Sequence, residues 1–100
     1  HVESWEAMIE VQQAGLARSI GVSNFLQTHL DDLAAATDVV PVVNQIELHP
    51  AFQQRDLRAF QAERGILTES WSPLGSGNYD LAELPGFAAI AERHGKSVQQ

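Results

Sequence analysis

The sequence predicts an α/β fold assembled from parallel β/α units, and three observations carry that prediction. Strand-like runs begin near residues 17, 41 and 66, a recurrence of about 25 residues that suits a repeated strand-helix unit. Each run is followed by one amphipathic helical segment, the alternation that builds parallel sheets with helical crossovers. No G-x-G-x-x-G follows any of the strands, which ranks an open, doubly wound dinucleotide-binding sheet second. Three parallel strands alone leave two unpaired edges and partly covered faces, whereas a (β/α)8 barrel of about 250 residues closes both. Residues 1–100 therefore read as a fragment of a single barrel domain: roughly three-eighths of it, three parallel β/α units plus flanking helices, with no internal boundary.

The elements follow from local signals. Val2, Trp5, Met8, Ile9 and Gln12 fall three to four apart, with Glu3, Glu6, Glu10 and Gln13 opposite; this predicts an amphipathic helix over 2–14 that Gly15 stops. Leu16 to Val22 is a β-leaning run closed by the turn pair Ser23-Asn24. Thr28 with Asp31 resembles a capping box, and Leu30, Leu33 and Ala34 form the stripe of a helix to about Ala36. Val39 to Ile46 is the most β-rich stretch, with Pro41 tolerable near its beginning and His49-Pro50 after its end. Leu57 and Phe60, flanked by Gln54, Arg55, Arg58, Gln61, Glu63 and Arg64, predict a third helix that Gly65 stops. Ile66 to Trp71 is the third strand. Beyond the loop Ser72 to Asn78, Phe87, Ala88, Ile90 and Ala91 predict a fourth helix ended by His94-Gly95, and Ser97 with Gln100 reads as the first turn of another capped helix.

Composition narrows the function. Six Lys plus Arg stand against 13 Asp plus Glu, a net charge of −7, which repels phosphodiester backbones and excludes nucleic acid as an expected partner. There is no cysteine, so disulfide frameworks and thiolate metal sites drop out and a reducing, cytoplasmic setting is the expectation. No apolar run approaches the roughly 20 residues of a membrane span, and no basic segment precedes an apolar one, so neither insertion nor secretion is expected. His1, His29, His49 and His94 show no i,i+4 pair, which leaves a metal site nothing better than Glu47 and His49 at strand spacing.

In parallel α/β architectures ligands sit outside the carboxyl ends of the strands. Here each strand ends polar: Ser23-Asn24, then Asn44-Gln45 with Glu47, then Glu69-Ser70-Trp71-Ser72. Amides and hydroxyls that both donate and accept suit a ligand that itself bears a carboxamide, such as nicotinamide. Trp71 offers a flat face for an aromatic heterocycle, while Gly75 and Gly77 within Ser72 to Gly77 allow the close backbone approach of a phosphate cradle. Read singly, each feature has a plain structural account. Ser-Asn closes turns, Asn44 and Gln45 serve as satisfied buried amides, and Trp71 fills a core. Their coincidence on one rim is what favours a site.

These residues carry a resemblance. Met8 through Phe25, ending Arg18-Ser19-Ile20-Gly21-Val22-Ser23-Asn24-Phe25, resembles the second signature of the aldo-keto reductases, and Asn44-Gln45-Ile46-Glu47-Leu48-His49-Pro50 and Trp71-Ser72-Pro73-Leu74-Gly75 follow in that family's order and spacing. The likeness runs from Trp5 to Gln100 and is greatest to the bacterial 2,5-diketogluconate reductase group. It implies a (β/α)8 barrel, of which this segment runs from the helix after the fourth strand into the helix before the eighth. It also implies NADP(H)-dependent reduction of a carbonyl in an aldehyde, ketone or keto-sugar acid. Ser23, Asn24 and Gln45 would hold the nicotinamide carboxamide, Trp71, where many relatives have Tyr, would stack on the ring, and Ser72, Leu74, Gly75 and Ser76 would line the pyrophosphate. The family's proton-donor Tyr and its Asp, Lys and His partners map before His1, and its 2′-phosphate ligands map beyond Gln100. Tyr79, the one tyrosine, has no nearby Lys and reads as a loop residue.

The resemblance thus implies no catalytic residue among residues 1–100, a complete enzyme that is monomeric, and an isolated segment that is inactive and prone to associate through its sheet edges. Two rivals stand beside it. One is a barrel glycoside hydrolase using Glu47 and Glu69 as paired carboxylates; the other is a truncated, non-catalytic product.

Overall fold

The computed structural model describes residues 1–100 and contains three parallel strands in the order β1-β2-β3. Helix α1 spans Val2–Gln13, strand β1 Val22–Ser23, helix α2 Gln27–Ala36, strand β2 Val43–Glu47, helix α3 Arg55–Glu63, strand β3 Leu67–Trp71 and helix α4 Phe87–His94. Each neighbouring pair of strands is joined through one helix, the β/α repeat that the sequence spacing predicts. Val22 pairs with Asn44 and Ser23 with Gln45; Asn44 pairs with Thr68, Gln45 with Glu69 and Glu47 with Trp71.

Residues in register share a face, and the faces alternate along each strand. Val22, Asn44, Ile46 and Thr68 lie on the face where the helices pack. There Leu30, Ile46, Leu57 and Ile66 form one core cluster, and Trp5, Ile20 and Leu33 form a second that seats α1. Trp5 is 2% exposed and its indole N–H donates to the Val39 carbonyl at 3.1 Å, so this large side chain is buried without an orphaned donor. Ser23, Gln45, Glu47, Leu67, Glu69 and Trp71 occupy the opposite face, which remains open: Leu67 is 69% exposed.

This is the arrangement of an arc cut from a barrel. Its radius of gyration is 17.3 Å, against roughly 13 Å for a compact domain of this length. Twelve of 100 residues are buried, so the helices cover one face while the face a closed barrel turns inward has no filling.

Several expected boundaries move. The first strand, expected over Leu16 to Val22, shrinks to Val22–Ser23. Leu16 is 81% exposed with nothing to pack on, and the chain joins the sheet near Ile20, whose carbonyl accepts the Val42 N–H at 3.1 Å. Gly21 lies so close to β2 that a Cβ there would stand 2.5 Å from Val43 Cγ1 and 2.8 Å from the Val43 carbonyl oxygen. The second strand, expected from Val39, starts at Val43. Pro41 has no N–H to place in a ladder, and Val39 presents its carbonyl to Trp5 and Thr37 instead.

Helix α2 begins one residue before Thr28, and the expected Thr28–Asp31 box does not form: His29 Nδ1 accepts the Leu26 N–H at 3.2 Å. Met8 and Ile90, on the apolar patterns of their helices, are 39% and 52% exposed. The predicted helix ends hold, with Gly15, Gly65 and Gly95 at φ +75°, +71° and +61°. Ser97 and Gln100 form a single turn in which Gln100 Oε1 accepts the Ser97 N–H at 3.0 Å. No helix is long and apolar enough to cross a membrane.

Candidate functional site

The polar residues at the strand ends meet. Ser23 and Asn24 leave β1 together and both donate to the Gln45 carbonyl, the Asn24 N–H at 2.9 Å and the Ser23 hydroxyl at 3.0 Å. Asn24 then turns into the left-handed region at φ +58°, a conformation that asparagine tolerates better than most residues. The turn brings its side chain to the end of β3, where the Trp71 indole N–H donates to Asn24 Oδ1 at 2.7 Å. Indole nitrogen only donates, so the bond defines the amide's orientation: Oδ1 faces Trp71 and the Nδ2 donors face elsewhere. Gln45 shares the open face with Ser23 and Glu69, and its carboxamide has no protein partner. A cavity of ≈ 210 Å³ opens beside Asn24, Glu47 and Trp71, walled by Phe25, Ile46 and Phe52.

Asn44 does not belong to this group. It is fully buried on the helix side, where Nδ2 donates to the Phe25 carbonyl at 2.9 Å and to Gln61 Oε1 at 2.7 Å, and Oδ1 accepts the Phe25 N–H at 3.2 Å. Gln61, expected on the polar flank of α3, is equally buried, and its Nε2 donates to Thr68 Oγ1 at 2.6 Å. The pair is a closed polar network in the core. Periodicity misses it because each amide is satisfied by a residue far along the chain.

Beyond β3 the chain makes a strap over Ser72 to Asn78. Ser72 and Ser76 stand at φ +50° and +53°, Gly75 and Gly77 at φ +83° and +75°. Ser76 Oγ donates to Ser72 Oγ, and the Gly75 and Asn78 N–H groups donate to the Ser72 and Gly75 carbonyls at 2.9 and 3.0 Å. Leu74 at φ −103°, ψ 9° followed by Gly75 at φ +83° is a turn of the kind that can aim flanking N–H groups at an anion, although the Gly75 N–H itself is spent on the Ser72 carbonyl. Four residues other than glycine have positive φ, and three of them, Asn24, Ser72 and Ser76, were singled out from sequence. Each such residue costs of order 1 kcal/mol or more and persists where surrounding structure enforces it.

The structure also joins residues that sequence reasoning kept apart. Tyr79, read from sequence as a loop residue, does lie in a loop, and its hydroxyl is 2.7 Å from His49 Nδ1, while His49 Nε2 is 3.0 Å from Glu47 Oε1. Glu47 and His49 do come together as their spacing suggests, but no third His, Cys, Asp or Glu stands with them to hold a metal. Nothing local signalled Tyr79, which is 30 residues from His49.

The family model of the aldo/keto reductases matches residues 1–100. The chain belongs to the aldo/keto reductase family. It is 48% identical over 100 residues to the methylglyoxal reductase DkgA of Escherichia coli K12, an alignment that covers 100% of this chain and 36% of that protein. A crystal structure of a Gox0644 variant in complex with NADPH superposes with a TM-score of 0.91 at 50% identity, covering 98% of this chain and 35% of that one. An aldo-keto reductase of Bombyx mori in complex with NADP superposes with a TM-score of 0.86 at 36% identity, covering 97% and 34%. The chain therefore spans about a third of the length of the relatives it matches, and its sheet is a partial barrel of the kind those reductases carry.

Proposed function

We propose that residues 1–100 are a piece of a single aldo/keto reductase barrel and that their strand ends hold the cofactor of an NADP(H)-dependent carbonyl reduction. The observation that carries the reading is the meeting of Ser23, Asn24, Gln45 and Trp71 at one end of the sheet, with the Gln45 amide unpartnered and Asn24 oriented by Trp71. The residues fit the group. A nicotinamide carboxamide offers one acceptor and two donors, which Asn24 Nδ2 and the Gln45 side chain complement, while the Trp71 indole supplies a flat surface at 36% exposure. When bound, the nicotinamide supplies the hydride.

The contribution of this chain is orientation. Two amides and a hydroxyl gripping one edge of a ring define which ring face is presented, and holding reactants in a near-attack geometry is worth several orders of magnitude in effective concentration. The strap from Ser72 to Ser76, with Leu74 and Gly75 at its turn, would take the pyrophosphate on backbone N–H groups and hydroxyls, which need no positive side chain. No residue of the chain is assigned the proton-donor role. The substrate class is a small carbonyl compound, as the relative named methylglyoxal reductase suggests. The hydrolase alternative has Glu47 and Glu69 on the same open face, but the family match over residues 1–100 favours the reductase.

In the full-length chain that carries these residues, Gln45→Ala and Asn24→Ala should each raise the NADPH dissociation constant or erode the stereospecificity of hydride transfer, with the fold unchanged by circular dichroism. Unaltered affinity, turnover and stereospecificity in both variants would overturn the reading.

A further inference from the structure

Tyr79, His49 and Glu47 form a hydrogen-bonded chain to which the cofactor reading gives no role. A carboxylate only accepts, so His49 Nε2 carries the proton directed at Glu47, and in the neutral ring Nδ1 accepts from the Tyr79 hydroxyl. The hydroxyl oxygen in turn takes the Ala51 N–H at 3.4 Å. Both ring nitrogens of His49 are thus engaged, its side chain is 8% exposed, and its backbone is held by a two-way pairing with Phe52 at 3.2 and 2.9 Å. The two ends of this chain sit at functionally different places. Glu47 lies on the open face of β2 in register with Trp71. Tyr79 lies against the turn of the strap, so closely that a Cβ on the buried Gly75 would stand 2.5 Å from its Cε1 and 2.9 Å from its hydroxyl oxygen.

We infer that Tyr79 is a positioning residue for the strap. Through His49 and Glu47 it ties residues 72–79 to the carboxyl end of β2 and holds the Leu74–Gly75 turn in its observed shape before any dinucleotide arrives. This rests on the cofactor reading of the strap and deepens it. Ser72 and Ser76, left-handed without being glycine, make the loop costly to hold in one shape, and ordering it in advance removes that cost from binding. Because Glu47 neighbours Trp71, one hydrogen-bonded chain connects the phosphate end of the proposed site with its ring end.

The test uses the full-length chain and two probes, NADPH and reduced nicotinamide mononucleotide, which has the ring but neither the pyrophosphate nor the adenosine half. Tyr79→Phe keeps the ring against Gly75 and removes the hydroxyl. It should weaken NADPH about fivefold to tenfold, the worth of one hydrogen bond, while leaving the mononucleotide affinity unchanged. Amide exchange over residues 74–78 should speed up in the ligand-free variant. His49→Leu should behave alike, and the double variant should be no worse than either single, as coupled links require. Unchanged exchange in ligand-free Tyr79→Phe overturns the tie between Tyr79 and the strap, whatever happens to binding. Equal loss for both probes overturns a role confined to the phosphate end. Failure of the unaltered chain to bind either probe overturns the cofactor reading instead, and with it any role of Tyr79 in cofactor positioning.

Discussion

The indole N–H of Trp71 donates to Oδ1 of Asn24 across 2.7 Å, joining the end of the third strand to the turn after the first. A tyrosine at residue 71 would keep a stacking surface but place its polar hydrogen at a different point, so tryptophan here does two things: it offers a face and it decides which way the Asn24 amide points. Trp71→Phe retains the face and removes the donor. In the full-length chain it should weaken NADPH about fivefold and lower stereospecificity through a freed Asn24 amide. Fluorescence titration and the distribution of transferred deuterium check this; a Trp71→Phe protein indistinguishable from the parent would show that the bond orients nothing.

The buried amide pair makes a prediction about stability. Gln61→Leu leaves Asn44 Nδ2 and Thr68 Oγ1 each short of a partner inside the protein and should cost about 1–3 kcal/mol in urea unfolding. Asn44→Leu combined with Gln61→Leu should cost less than the two singles summed, because neither amide is then stranded. Strict additivity would mean that the two residues act independently.

Gly21 is required for space rather than for backbone freedom. Gly21→Ala sets a methyl group 2.5 Å from Val43 Cγ1 and 2.8 Å from the Val43 oxygen, so β1 must move from β2 at a cost of about 1–3 kcal/mol. The same movement displaces Ser23 and Asn24 from the Gln45 carbonyl, and cofactor affinity should fall with stability. Thermal unfolding and NADPH titration on one preparation test the linkage; a loss of stability with full affinity would separate them.

Residues 1–100 produced alone should associate. Leu67, Val42 and Trp71 stand 69%, 41% and 36% exposed, the first and last on the open sheet face, and β1 and β3 each have a free edge. Light scattering should report a mass above that of one chain at micromolar concentration, and Leu67→Lys should reduce it. A monodisperse monomer would refute this account of the uncovered face.

Local chemistry made much of the molecule legible. Strand β3 lies where its β-rich run stands, and Gly15, Gly65 and Gly95 end their helices in the left-handed conformation because each is a residue without a Cβ penalty at the point where apolar periodicity stops. The rim residues could be named because a strand's carboxyl end is marked by where its β-rich run yields to polar residues. The first strand was overestimated because β propensity in Leu16 to Ile20 counts for little without a neighbouring layer to pack against.

What the linear chain determined on its own was the rhythm of strand and helix and the types of polar group delivered to each strand end, since both depend on neighbours within a few residues. Which of those groups meet was decided by the sheet. Parallel register set Asn44 inward against Gln61 and left Gln45 outward beside Ser23, and it carried Trp71 to Asn24, 47 residues away, while the loop after β3 carried Tyr79 to His49. A hydrogen bond needs its partner within about 3 Å, and the packing of strands and helices against one another, not separation along the chain, decides who that partner is.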